Sequence, residues 1–395
     1  MSVAVIATFQ SDFRTSDPSK TFPEQAQEAA LGAMKTVGMT PGDIDAVVFS
    51  LAPTFFMGVA DADRWSIDHI FATGKPIFRV HTGGATGGSA VHAAQALVSS
   101  GMARSVLIVG AERIAETPDA QKVLNLIFDA FYERDMPLST NTSVALQLSR
   151  YLQVHGLTQE DMAQAVIRQR RNAMSNPHAH LKGEITIEDV MNSKPIALPL
   201  KLFDICPRSS GSAAMIVGDE SMAKRFQSRP AFINGISGIS DTYWIGDRIT
   251  PTSRTDWSSF KLAETAGRQA LARAGITDPM RQIQVAELYD PYSCIGYQQL
   301  EHFGFCAPGV AARLDREHVW DVAGGQVAVN PSGGTLCTNP IAISGLVRAI
   351  DAASQVMGTA GPMQVPQVRN ALSTANGGIG QFCNVTVFGA EPNHH

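Results

Sequence analysis

Short uninterrupted apolar runs alternate with longer helical patterns along this chain. Residues 3–7, 45–50, 77–80 and 105–109 are such runs, flanked by segments whose apolar positions recur every three or four residues. Runs of four to six apolar residues without polar alternation predict strands buried on both faces, mostly parallel and covered by helices. The pattern therefore predicts an α/β chain in stacked layers. Between about 116 and 205 it turns irregular and polar, with Arg, Asn, His and Pro prominent. That stretch predicts an inserted loop domain, and a connection of such length without sheet pattern is more often functional than decorative. Strand character returns at residues 213–217, and Ser228–Pro230 reads as a seam.

The elements on either side of that seam repeat. A helix pattern, a Gly-x-Thr break and an apolar strand occur at residues 29–50 and again at 266–290, with Gly38 answering Gly275 and Thr40 answering Thr277. A glycine-rich turn opens a small-residue helix at 83–100 and again at 333–353. A strand ending in Gly-Ala-Glu occurs at 106–112 and 385–391. Each tripeptide is common alone, but their joint recurrence predicts two similar halves, residues 1–225 and 226–395, the first carrying the inserted loop domain.

Composition narrows the class. The 395 residues are 44% apolar and 17% charged, enough for a large core and inconsistent with global disorder. Net charge is −5 without a block of like charges, so neither a nucleic-acid footprint nor electrostatic membrane attachment is expected. No apolar run approaches the length of a membrane span. The N-terminus runs into a strand rather than a leader, and five cysteines without a CxxC pair fit a reducing compartment. A cytoplasmic protein is expected. His178 and His180 stand two apart, which is not a metal-ligand pair on a helix face, so no metal site is expected. His394 and His395 read as a tag remnant.

Three segments could carry chemistry. The first is His81-Thr-Gly-Gly-Ala-Thr-Gly-Gly-Ser89, between a strand and a helix. Amides at such a helix start can hold an anion or oxyanion, and the glycines admit a ligand close to the backbone. Its spacing is not the dinucleotide fingerprint, and it does not follow the first strand. Tight helix–sheet packing is the alternative explanation of its glycines. The second is Glu287-Leu-Tyr-Asp-Pro-Tyr-Ser-Cys294, at a strand end. Tyr289 as a phenolate base at neutral pH would require a downward shift of about three units; otherwise Tyr289 and Tyr292 are half-buried aromatics with satisfied hydroxyls. The third is Asn330-Pro-Ser-Gly-Gly-Thr-Leu-Cys-Thr-Asn-Pro340, the repeat counterpart of the first, so both turns are expected at one crevice. Cys337 there is either a nucleophile near a helix start or a small core residue.

These motifs together resemble the thiolase superfamily, in its sterol-carrier-protein branch. The resemblance rests on the duplicated halves, the turn at 83–88, the loop at 287–290, Asn330-Pro-Ser-Gly-Gly334 and Asn376-Gly-Gly-Ile-Gly380. It implies a five-layered α-β-α-β-α fold, a homodimer, and a role for region 116–205 in binding coenzyme A and the acyl chain. The departures are as informative. Gly84 stands where thiolases place the nucleophilic cysteine. Tyr289-Asp290-Pro291-Tyr292 stands for His-Asp-Cys-Phe, and Asn339-Pro340 for the Gly-His-Pro histidine. Without a thiolate no acyl-enzyme forms.

The same departures resemble the aldolases of bacterial steroid side-chain degradation, which share the cysteine-free turn, Leu288-Tyr-Asp290 and the Gln299–Cys306 run. Those enzymes cleave a β-hydroxyacyl-CoA by retro-aldol reaction, in complex with a small zinc-ribbon/OB-fold protein. They carry a second tyrosine where this chain has Asn339. The resemblance implies a lyase with Tyr289 as base, Asp290 shaping its loop and Asn339 polarising an oxygen. Amides near Gly84 or Gly380 would stabilise the enolate, Tyr292 and Cys337 would border the pocket, and glycine at 84 would widen it. Coenzyme A enters only as part of the substrate, with no other cofactor. The alternatives are an acyltransferase with Cys337 or Cys294 as relocated nucleophile, and a non-catalytic acyl-CoA-binding subunit.

Overall fold

The computed structural model describes residues 2–51, 56–248 and 256–393, which leaves His394 and His395 outside. Among the described residues ten strands form one sheet. The first five in chain order are β1 (Val3–Gln10), β2 (Ala46–Ser50), β3 (Ile77–Val80), β4 (Ser105–Glu112) and, after a two-stranded ribbon of β5 (Pro195–Ala197) and β6 (Leu200–Lys201), β7 (Gly211–Asp219). The second five are β8 (Ala231–Ser240), β9 (Val285–Glu287), β10 (Ala328–Val329), β11 (Asn370–Gly377) and β12 (Phe382–Gly389). Their spatial order is β10-β9-β11-β12-β8-β1-β7-β4-β2-β3. Counted from the outer edge inward, β3-β2-β4-β7-β1 and β10-β9-β11-β12-β8 follow one scheme. The two sets join where Ala4 and Val5 of β1 pair with Phe232 and Ala231 of β8.

The helices that matter here are α1 (Phe22–Val37), α2 (Thr86–Ser99), α3 (Thr140–His155), α4 (Gln159–Ala173), α5 (Lys261–Arg273), α6 (Ile295–His302) and α7 (Ser344–Met357). Helix α1 packs on β1, β4 and β7, and α5 packs on β8 and β12. Between these outer layers α2 and α7 touch each other and strands of both sets. The result is the five-layered α-β-α-β-α stack. Local chemistry sets the helix ends: Thr21 and Glu24 close a capping box on α1, and Gly38 ends it at φ 70°. Gly275 ends α5 at the same φ, as the repeated Gly-x-Thr break predicts.

Every residue of α7 is buried, which makes it the hub of the middle layer. It crosses α2 closely, since a Cβ on Gly345 would stand 2.9 Å from the Gly88 nitrogen. Only glycine permits that approach.

Two expectations are corrected. The Gly-Ala-Glu motifs are not equivalent, because Gly110–Glu112 ends β4, the fourth strand of its set, whereas Gly389 ends β12, the fifth. The true counterpart of β4 is β11. Region 116–205 is also more regular than its polarity suggests, for it holds α3 and α4. Arg168, Gln169 and Asn172, part of the polar run, are buried on one face of α4. These buried polar groups interrupt the apolar stripe of Met162, Val166 and Ala173 and weaken its periodic signal.

Candidate active site

A cavity opens where the start of α2, the loop after β9, the 206–209 segment, the end of β11 and the first part of the insertion converge. Its wall includes Gly84, Tyr289, Tyr292, Asn339, Asn376 and Gly380. Apolar side chains make up much of the rest: Val123, Leu124, Ile127, Val144, Phe260 and Ile341. Three of these come from the segment before α3 and a fourth from α3 itself. The insertion thus supplies one wall.

Tyr289 is the centre of this geometry. Its side chain is buried, and no hydrogen bond to its hydroxyl occurs among the described residues. The hydroxyl lies against Gly84: a Cβ at that position would meet the Tyr289 oxygen and the Asn376 carbonyl oxygen, each at 2.5 Å. The space vacated by a side chain at 84 is therefore filled by the phenol and does not widen the pocket. Burial raises the phenol's pKa, opposite to the shift a resting phenolate base requires. Tyr289 is a neutral hydroxyl at physiological pH. The hydroxyl of Tyr292, by contrast, is satisfied by Asn141 at 2.9 Å.

Asn339 is held at its side chain and at its backbone. Its Oδ1 accepts from the Ser344 hydroxyl at 2.6 Å, its Nδ2 donates to Cys206 Sγ at 2.9 Å, and its backbone N–H donates to Ser209 Oγ at 3.0 Å. The neighbouring Ala342 N–H donates to Glu112 at 3.0 Å, and burial pushes that carboxyl's pKa up to about 7.

Asp290 does not face the cavity. Its Oδ2 accepts from Gln169 of α4 at 2.6 Å and from Asn330 at 2.8 Å, and its Oδ1 accepts from the Thr335 N–H at 3.2 Å. Burial raises its pKa to about 7, and the Gln169 hydrogen bond opposes that rise. The carboxyl holds the loop from behind. The Asn330–Gly334 turn belongs to this rear layer, so the two glycine-rich turns do not share the crevice. Cys337 lies there too, buried near Ala173 and Ala179, and burial pushes its thiol up to about 12. It does not border the pocket. Cys294 is likewise buried with a raised thiol pKa. Neither lines the cavity.

The thiol that does line the cavity is Cys206, which sequence reasoning passed over because Asp-Ile-Cys-Pro carries no catalytic spacing. Burial pushes its pKa up to about 12, so it is also a poor nucleophile. Gln169 was missed for a different reason: it reaches Asp290 across 121 positions. Gly84, Gly380, Tyr289, Tyr292 and Asn339 are brought together as expected.

Family comparison decides the class. Residues 3–196 match the thiolase N-terminal domain and residues 247–390 match the thiolase C-terminal domain-like family. An acetyl-CoA acetyltransferase of Methanocaldococcus jannaschii is 30% identical over 318 residues, covering 80% of this chain and 79% of that protein. The chain belongs to the thiolase superfamily. Within that superfamily it is also similar to the 17-hydroxy-3-oxo-4-pregnene-20-carboxyl-CoA lyase of Mycobacterium tuberculosis, 29% identical over 373 residues, or 90% of this chain and 91% of the relative. Among solved structures, the Ltp2-ChsH2(DUF35) aldolase superposes with a TM-score of 0.84 at 26% identity, covering 99% of this chain and 98% of that one. The relatives thus include both acyl-transferring and carbon–carbon-cleaving enzymes.

Proposed function

We propose that this thiolase-superfamily protein is a carbon–carbon lyase that cleaves a β-hydroxyacyl-CoA by retro-aldol reaction without a covalent acyl-enzyme. The observation that carries the reading is the Tyr289 hydroxyl standing where the side chain of residue 84 would begin. An acyl transfer needs a thiolate, and Cys206, Cys294 and Cys337 are all held as thiols by burial. A retro-aldol step needs none. The β-hydroxyl loses its proton, the Cα–Cβ bond breaks, and its electron pair passes into the thioester carbonyl. The resulting enolate is protonated at Cα, leaving a ketone or aldehyde and a shortened acyl-CoA.

In this reading Tyr289 replaces its expected base role with that of a neutral donor to the enolate oxygen, helped by backbone amides near Gly84 and Gly380. A donor of this kind contributes on the order of 3 kcal/mol to the transition state. Asn339, fixed by Ser344 and Cys206, polarises the second oxygen, and a water beside it relays the β-hydroxyl proton to Cα of the enolate. The apolar wall of Val123, Leu124, Ile127, Val144 and Phe260 fits a bulky apolar acyl group, in keeping with the steroid ester named for the mycobacterial relative. Coenzyme A is bound as part of the substrate, along the insertion.

A partner protein of the zinc-ribbon/OB-fold type is proposed from the aldolase neighbour, in which Ltp2 is joined by ChsH2(DUF35). A homodimer is proposed as well, with β3, one of the two edge strands of the sheet, as the seam; Phe78 is exposed there. All five cysteines are free, which supports a reducing, cytoplasmic setting. No helix among the described residues is long and apolar enough to cross a membrane.

The test is incubation with a panel of β-hydroxyacyl-CoA esters, with and without a candidate partner, following release of acyl-CoA and carbonyl product. Cleavage that survives iodoacetamide is expected. Thiolysis of a β-ketoacyl-CoA that iodoacetamide abolishes would replace this reading with the acyltransferase one. Binding of esters without turnover would leave a non-catalytic subunit.

A further inference from the structure

Tyr289 sits in the loop that follows β9, yet its backbone is held by a closed ring of buried hydrogen bonds. The Tyr289 N–H donates to Thr374 Oγ1 at 2.7 Å, the Thr374 hydroxyl donates to Gln299 Oε1 at 2.6 Å, and Gln299 Nε2 donates back to the Tyr289 carbonyl at 2.8 Å. Asn376 Nδ2 adds a second donor to that carbonyl at 3.1 Å. Thr374 and Asn376 lie on β11 and Gln299 on α6. Thr374 and Gln299 are fully buried.

The direction of every bond in this ring is determined. A carbonyl oxygen can only accept, so Gln299 must turn its amide nitrogen to Tyr289. Its Oε1 then faces Thr374, whose one hydroxyl proton must go there. That leaves the Thr374 oxygen free to accept the Tyr289 N–H. No flipped arrangement satisfies all three residues, so the ring has one state, and a buried network with one state holds its members rigidly.

From this ring we infer that Thr374 and Gln299 are positioning residues for catalysis, which fix the Tyr289 hydroxyl beside Gly84. The inference rests on the reading that Tyr289 acts on the substrate. Neither residue touches the reacting atoms. Both act through the tyrosine.

Thr374→Val keeps the shape and removes the relay, stranding the Tyr289 N–H and the Gln299 oxygen. Thr374→Ser restores it. On the best ester of the panel, Thr374→Val is expected to lower kcat by about tenfold or more with KM nearly unchanged, as for a small displacement of a catalytic group. Thr374→Ser should return kcat to within about threefold of wild type, and Thr374→Val should cost less than about twofold further in a Tyr289→Phe background, because the two residues act as a unit. Near-normal turnover of Thr374→Val, or an undiminished loss in the Tyr289→Phe background, would overturn the inference.

If wild type cleaves no ester, the lyase reading falls and a second readout decides this one. The chain has six tyrosines, and labelling with 3-fluorotyrosine gives a line for Tyr289 that Tyr289→Phe identifies. Thr374→Val should shift or split that line and Thr374→Ser should not. An unmoved line in Thr374→Val would show that the ring does not hold the ring of Tyr289 in place.

Discussion

Tyr289 and Gly84 have to be considered as a pair. Removing the phenol oxygen by Tyr289→Phe deletes no hydrogen bond among the described residues, so stability should change by well under the roughly 1 kcal/mol typical of one such bond. Turnover of a β-hydroxyacyl-CoA should fall on the order of 10²-fold or more, the usual loss of one oxyanion donor. A Phe variant within a few-fold of wild type would take Tyr289 out of the chemistry. The pH profile carries a second check. A phenol whose pKa is raised stays protonated well past neutrality, so no limb between pH 6 and 9 should disappear in the Phe variant.

The reverse substitution, Gly84→Cys, should create no thiolase. The new side chain collides with the phenol and with the Asn376 backbone carbonyl, and overpacking of this kind costs about 1–3 kcal/mol. Measurable thiolysis of acetoacetyl-CoA by that variant would show that the phenol yields its place easily.

At the level of elements, the loop after β9 is stiffened from behind by α4 and the 330–335 turn, meeting at the Asp290 carboxyl. That carboxyl's pKa is raised in the folded chain to about 7 from an ordinary 3.8. The folded state therefore keeps a proton that the unfolded chain has already lost. Its contribution to stability is full below pH 3.8 and fades as pH climbs through 7. Urea midpoints of wild type should fall between pH 4 and 8 relative to Asp290→Asn, which cannot titrate there. Parallel profiles for the two proteins would mean that the carboxyl is already ionised in the fold.

The same loop shows what could be read without coordinates. The strand–loop positions of Tyr289 and Asp290 followed from an apolar run ending in polar residues, and Gly84 from a glycine cluster before a helix. The partners Gln169, Thr374, Gln299 and Cys206 did not, because they converge from four separate elements and none has a spacing of its own. Cys337 misled for a related reason: a cysteine after a glycine-rich turn can face a cavity or a core, and only packing distinguishes them. Helix α4 was hidden because it buries arginine, glutamine and asparagine beside Met162 and Val166, whereas the Val144, Leu148 and Tyr151 stripe of α3 was there to be read.

For the whole molecule, the five layers were legible since each half is a short run of β and α units with the same breaks, Gly38 and Gly275 above all. What holds the layers together was not. Arg348 of α7, fully buried, pairs with Glu287 of β9 at 2.8 Å and with Asp351 at 3.0 Å, and Asp351 accepts from Gln10 of β1 at 2.7 Å. One guanidinium thus links α7 with β9, and through Asp351 with β1. Arg348→Met fills the volume but leaves two carboxyls facing each other without a cation. Losing one partner of a buried ion pair typically costs about 3–5 kcal/mol. Chemical denaturation should report a loss of that size, and a change below about 1 kcal/mol would show that both carboxyls are already neutral in the fold.

The pairing of β1 on both sides has a consequence for how the chain is made. Made before every other strand of the sheet, β1 pairs along Val3–Gln10 with β7, at residues 213–219, and through Ala4 and Val5 with β8. Its neighbours in space are therefore about two hundred residues younger. Until they emerge, an eight-residue apolar strand has two vacant edges, the condition in which strands of nascent chains meet one another. Synthesis that pauses within the insertion prolongs that interval, and release of the chain after β8 ends it.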